Sequence, residues 1–281
     1  MTARRSVICG APIFIVEKSD DMRYNKIPFL RVQRRWHGNS GPTGVEMKIN
    51  CVWEHNGNDS ILYANNFVGA FTRGASKEEA ILKMPEEIRR FQLWRGQISL
   101  DDYEIDIVQE KESNLQIRDA DSDVLFASEE SPLSAEEYQY LKALALKSAE
   151  DFHTLYISIP DKHKSAIPYR KTFYGSVPRT AEEMYQHTKN VNQYYFSEVG
   201  AEADNEGTIV SCRERGFEAL ESIEGYLSLE AVTGSYEEQW SVRKVLRRFI
   251  WHDRIHAKAM YRMGILTFGP DAIPDIFWFA R

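Results

Sequence analysis

Four times in this chain a hydroxyl residue is followed, two and three positions later, by a pair of glutamates: Ser76-Lys-Glu-Glu79, Ser134-Ala-Glu-Glu137, Thr180-Ala-Glu-Glu183 and Ser235-Tyr-Glu-Glu238. The pattern is a helix start signal. The hydroxyl oxygen accepts from the backbone N–H three residues on, and the glutamate there reaches back to the cap. Behind Ser76 the apolar line Ala80, Ile81, Met84, Ile88, Phe91 and Leu93 predicts a helix to about Trp94, bent at Pro85. Behind Ser134 the line is Tyr138, Leu141, Ala145, Phe152 and Leu155. Thr180 introduces Met184, His187, Val191 and Tyr194. Ser235 introduces Val245, Phe249, His252, His256, Ala259 and Met263, in a helix ending near Gly264 or at Gly269-Pro270. One more helix, over about residues 206–229, rests on Val210, Phe217, Leu220 and Ile223 despite glycines at 216 and 225. The four helices after residue 132 each carry one apolar stripe and must pack against one another. The proline- and aromatic-bearing link over 158–179 suits a crossover or a flap over the open end of such a bundle.

Before residue 132 the helix behind Ser76 stands among segments of a different period. MKINCVWE at 47–54 alternates in polarity as a half-buried strand does, and SILYANNFVGAFTRG supplies one or two more strands through Asn65-Asn66. With the helix behind Ser76 and a last strand, YEIDIVQEKE, the order is β-β-β-α-β. The fold class is therefore α+β: residues 47–127 as a small α/β domain, 132–270 as a four-helix bundle and 271–281 as a tail. Residues 1–46 give no clear face or motif and are expected to be a poorly ordered or non-native extension, with Met47 as the natural beginning. Acidic residues of the last strand, Glu104, Asp106, Glu110 and Glu112, read as a solvated face.

Three histidines carry the candidate chemistry. His252 and His256 lie four residues apart, just over one helical turn, so their imidazoles point the same way. His187 sits on the apolar stripe of another helix, and all three are expected to face the interior. Imidazoles among apolar side chains are costly unless their nitrogens find partners, and one divalent cation would satisfy a nitrogen on each ring. A single inward histidine is more often a core residue bonded to a carbonyl or carboxylate; the third one, on a separate helix, shifts the balance. His37, His55 and His153 are not expected to bind metal. Asp253 and Glu183, near the ligands in sequence, are candidates to orient an imidazole, although Glu183 is already used in a cap and Asp253 can equally face solvent.

These residues carry two resemblances. From about Ser134 to Met263 the chain resembles the DinB superfamily of four-helix bundles, on RTAEEMYQH at 179–187 and SVRKVLRRFIWHDRIHAKAM at 241–260. The resemblance implies that His187, His252 and His256 bind a divalent metal ion, commonly zinc or nickel. It also implies a small-molecule substrate, with a low-molecular-weight thiol as co-substrate in some relatives. Residues 67–82, within FVGAFTRGASKEEAILKMPEEIRRF, resemble the HicB-like antitoxin domain, with Val68-Gly69 where that family often has proline-glycine. The family implies a ribonuclease partner. Here the bundle takes the place of the usual DNA-binding segment, which favours a dimerisation role, as in a homodimer, or a cover over the mouth of the bundle.

Composition excludes several alternatives. The net charge of −7 argues against nucleic acid as the main partner, and no apolar run of about eighteen residues exists to span a membrane. Pro12 interrupts the short apolar stretch near the start, against a signal peptide. Three scattered cysteines, Cys9, Cys51 and Cys212, point to a reducing, cytoplasmic setting, and Cys212 reads as a core residue. Phosphate loops, serine elbows and paired-cysteine motifs are absent from the sequence. Two functions follow: a metal-dependent enzyme in which the three histidines activate a thiol or water for transfer or hydrolysis, or a non-catalytic interaction protein whose site is structural or empty. Tyr194, Tyr195, Phe196, Trp240 and Trp251 are candidates for an apolar pocket wall, with core packing as the plainer reading.

Overall fold

The computed structural model describes residues 47–98, 102–172 and 175–279, all within one compact unit. The expectations for 1–46, His37 and Cys9 among them, lie outside the described residues. The chain is mixed α+β. It runs β1 (Met47–Asn56), β2 (Asp59–Ala64), β3 (Phe71–Gly74), α1 (Lys77–Trp94), β4 (Tyr103–Glu112), α2 (Ala135–Ser158), α3 (Ala181–Ser197), α4 (Ile209–Glu221) and α5 (Val242–Phe268).

The sheet has the order β3-β2-β1-β4. β1, β2 and β3 form an antiparallel meander, and β4 lies parallel to β1. A parallel neighbour needs a crossover, and α1 supplies it without a break at Pro85. Successive residues of β2 point to opposite faces, yet Ser60 to Ala64 are all buried, so both faces are covered. Ile61 and Tyr63 pack with Val52, Phe71, Val124, Phe126 and, from α5, Trp251. α1 packs on β2 and β3. Gly69, at φ +103°, lets the β2–β3 turn approach α5 closely; a Cβ there would meet Ile250 Cγ2 at 2.2 Å.

α2 and α3 each pack against both α4 and α5. Ser134 and Thr180 form the expected capping boxes, and Ser76 accepts from the Glu79 N–H. All five residues assigned inward on α2 are buried. α4 is shorter than the expected 206–229: Thr208 caps it, and the chain turns through Gly225 at φ +72°. Its buried line also shifts, to Ile209, Cys212, Arg213, Gly216, Phe217 and Leu220. Gly216 sits there because the Phe196 ring takes the space of a side chain; a Cβ would lie 2.1 Å from Cε2.

The expected start of the last helix at Ser235 is corrected. Residues 232–233 pair with 239–240 as a short antiparallel ladder, which holds the backbone extended up to Trp240. Ser241 is the cap instead, accepting from the Lys244 N–H. The burial of the helix that follows is equally distinctive: Lys244 through Arg254 are buried on every side of α5. A helix buried all round is ordinarily apolar. This one carries five charges in that stretch, each with partners. Lys244 donates to the carbonyls of Asp123 and Gln239, Arg247 pairs with Glu129, and Arg248 donates to the Ser122 carbonyl. Asp253 pairs with Arg213 of α4, and Arg254 with Glu87 of α1 at 2.8 Å. α5 thus packs against the sheet on one side and the other helices on the other.

Candidate metal centre

Two helices bring the three histidines together. The Thr180 cap fixes the start of α3 and places His187 two turns in, while the long α5 presents His252 and His256 one turn apart. The ring centroids of His187 lie 5.3 Å from His252 and 4.6 Å from His256, and those of His252 and His256 are 4.4 Å apart. The Nε2 atoms of His252 and His256 face each other at 3.1 Å. One nitrogen from each of the three residues falls within 4.8 Å of the others, close enough to bind a metal ion.

The donor set fits a divalent cation. Metal–nitrogen bonds of about 2.05 Å put two ligand nitrogens about 2.9 Å apart in octahedral and about 3.3 Å apart in tetrahedral geometry. The 3.1 Å separation lies between these values. Burial depresses the pKa of all three imidazoles, that of His256 to about 3 and that of His252 well below its ordinary 6.5. The neighbouring histidines, Arg248 and Arg213 push His252 further the same way. All three rings are therefore neutral at pH 7, with a lone pair to donate. Without a cation, the Nε2 pair can share only one proton. The buried Nδ1 of His252 has no protein partner in either tautomer.

His187 departs from the expectation that all three face inward. The buried face of α3 is Met184, Tyr185, Thr188, Asn192, Tyr195 and Phe196. Asn192 holds it there by donating to the Cys212 and Asp204 carbonyls, and the Tyr185 hydroxyl accepts from the Ile209 N–H. His187 is left exposed beside this face. Solvent reaches the group from that side, and no fourth histidine, thiol or carboxylate joins it among the described residues.

The nearby candidates do other work. Asp253 orients no imidazole and meets no solvent: it is fully buried, bonded to both Arg213 Nη atoms at 3.2 Å and to Ser148. Glu183 serves the α3 cap. His153 packs against Tyr156 and Tyr185, and His55 stacks on Trp53 and contacts Glu110. Cys212 is buried with its thiol turned to the Ile209 carbonyl, and burial raises its pKa. Tyr195, Phe196, Trp240 and Trp251 belong to the core. Sequence reasoning missed Arg213, whose guanidinium stacks on Phe249 one turn before His252 and locks α4 to α5. The signal was a charged pair, Arg213 and Asp253, at positions the apolar spacing assigned to the interior or left open.

No helix among the described residues is long and apolar enough to cross a membrane. No family model, curated protein or solved structure matches the chain.

Proposed function

We propose that the chain is a divalent-metal-dependent enzyme of the DinB type, in which His187, His252 and His256 hold zinc or nickel. The group acts on a small molecule, activating a thiol or a water for transfer or hydrolysis. The observation that carries this reading is the pair of neutral imidazole Nε2 atoms at 3.1 Å, with a third histidine beside them and no fourth ligand among the described residues. A bound cation supplies Lewis acidity, bringing the pKa of a thiol or water at an open position toward neutrality. The protein's part is positional. α5 is packed on all sides at His252, so that ring is held rigidly, while His187 at the rim leaves the approach open to solvent and small ligands. The DinB reading is supported by the mutual packing of α2 to α5, and the HicB-like reading by the β-β-β-α-β order with Ser76 capping α1. In this reading the sheet braces the helix that bears two of the three ligands.

Metal content by mass spectrometry on protein purified without a histidine tag tests the proposal. About one equivalent of metal is expected per chain, falling at least about tenfold in His252→Ala. Thiols paired with electrophiles, and hydrolysable esters and amides, then form the activity screen on loaded protein. Protein that stays metal-free after incubation with zinc, nickel and manganese would contradict the reading.

A further inference from the structure

Beside the histidines, α5 presents a second stripe. At about 100° per residue, Ile255, Lys258, Ala259 and Arg262 fall on the flank next to His256. This flank forms one wall of an open cleft of about 690 Å³, whose other walls come from β2, β3 and α1. The volume is that of a small-molecule site.

The charge of the cleft is unusual for a chain of net charge −7. Arg73, Lys83, Arg90, Lys258 and Arg262 line it, against Asp59, Glu86 and Glu87. Two of these cations are neutralised within α1, Lys83 by Glu79 and Arg90 by Glu86. The other three differ in how far carboxylates offset them. Glu87 is committed to Arg254 at 2.8 Å and leaves Lys258 at 3.8 Å. Arg73 is half-buried and donates to the Ile117 carbonyl, with Asp59 and Asp119 acting on it at longer range. Arg262 is exposed and forms no ion pair among the described residues. Lys258 and Arg262 thus repel each other across one concavity, and a ligand of opposite charge relieves that repulsion. Phe71, Ile255 and Ala259 add an apolar wall between them.

We propose that this cleft binds a small organic dianion with a short apolar body. The shared chemistry is two negative charges at carboxylate or phosphate oxygens, met by Lys258 and Arg262. Guanidinium groups suit either anion because their N–H donors form a planar fork. The site needs no metal at the histidines.

Isothermal titration of the full chain with succinate and with phenyl phosphate tests this, with succinamide as the uncharged control and inorganic phosphate as the minimal anion. Saturable one-to-one binding is expected for succinate or phenyl phosphate and none for succinamide; the tighter of the two identifies the carboxylate or phosphate source. Arg262→Glu, at an exposed position that does not threaten folding, is expected to weaken binding at least about tenfold. His252→Ala and chelator-treated protein are expected to bind as the native chain does, which separates this site from the metal reading. No saturable binding by either organic dianion, equal affinity in folded Arg262→Glu, or uptake of inorganic phosphate alone as an adventitious ion only, would overturn the proposal.

Discussion

His252 and His256 hold two imidazole nitrogens 3.1 Å apart in a place where neither ring accepts a proton readily. Without metal this has a cost that depends on pH. Both rings stay neutral in the fold, with pKa values depressed from 6.5, while the unfolded chain protonates them at their ordinary value. The unfolded state therefore binds more protons below pH 6.5, and stability falls as pH drops from there toward 3. For His256 alone, with a folded pKa of about 3, the loss between pH 7 and 5 is about 2 kcal/mol. Urea midpoints in chelator at pH 7 and pH 5 are expected to show this loss, and His256→Gln to show a smaller one. A pH dependence identical in the two proteins would refute the assignment. At this scale the spacing of His252 and His256 was legible, because one helical turn is a local fact. The exposure of His187 was not, because it depends on Asn192 and Tyr185 reaching α4. Nor was the Asp253 pairing, which requires knowing that α4 brings Arg213 alongside.

Three of the four start signals act as caps because nothing else claims the backbone at those points. Ser235 fails for a reason outside its own tetrapeptide. The ladder between residues 232–233 and 239–240 keeps the chain extended, Tyr236 adopts φ +60°, and the Glu238 carboxylate goes to Lys244. The local pattern is a necessary condition for a helix start and not a sufficient one. Strand pairing over two residues is too short to leave a period in the sequence, so the later start at Ser241 was illegible. Substitution separates the two serines. Ser241→Ala removes the acceptor for the Lys244 N–H and is expected to cost about 1 kcal/mol, as is Thr180→Ala at the start of α3. Ser235→Ala is expected to stay within about 0.5 kcal/mol of the native chain. Denaturant midpoints of the three variants check this, and an equal loss at Ser235 and Ser241 would place the helix start wrongly.

The two halves that differ in sequence period share one helix. Trp251 of α5 completes the core under β2, while Phe249, two residues away, packs on Phe196 and Phe217 of the other helices. Glu87 and Arg254 tie α1 to the same helix. The changes from period two to period 3.6, behind Ser76 and again after residue 130, were readable, but such a change reports the kind of element and not which elements share a core. Burial of Lys244, Arg247, Arg248 and Arg254 was hidden for the same reason, since Asp123, Glu129, Ser122 and Glu87, which partner them, come from distant parts of the chain. The shared helix makes a thermodynamic prediction. A metal that clamps α3 to α5 stabilises every element packed on α5, the sheet included. At a free metal concentration of about one hundred times Kd the gain is about 2.7 kcal/mol, which for a chain of this size raises Tm by roughly 5–10 °C. Far-UV circular dichroism follows the helices, and the fluorescence of Trp53 on β1 and Trp94 on α1 contributes a signal from the sheet side. Zinc or nickel is expected to shift both melting curves together, and His252→Ala to abolish both shifts. Two independently folding halves would instead show two transitions, with metal moving the helical one alone.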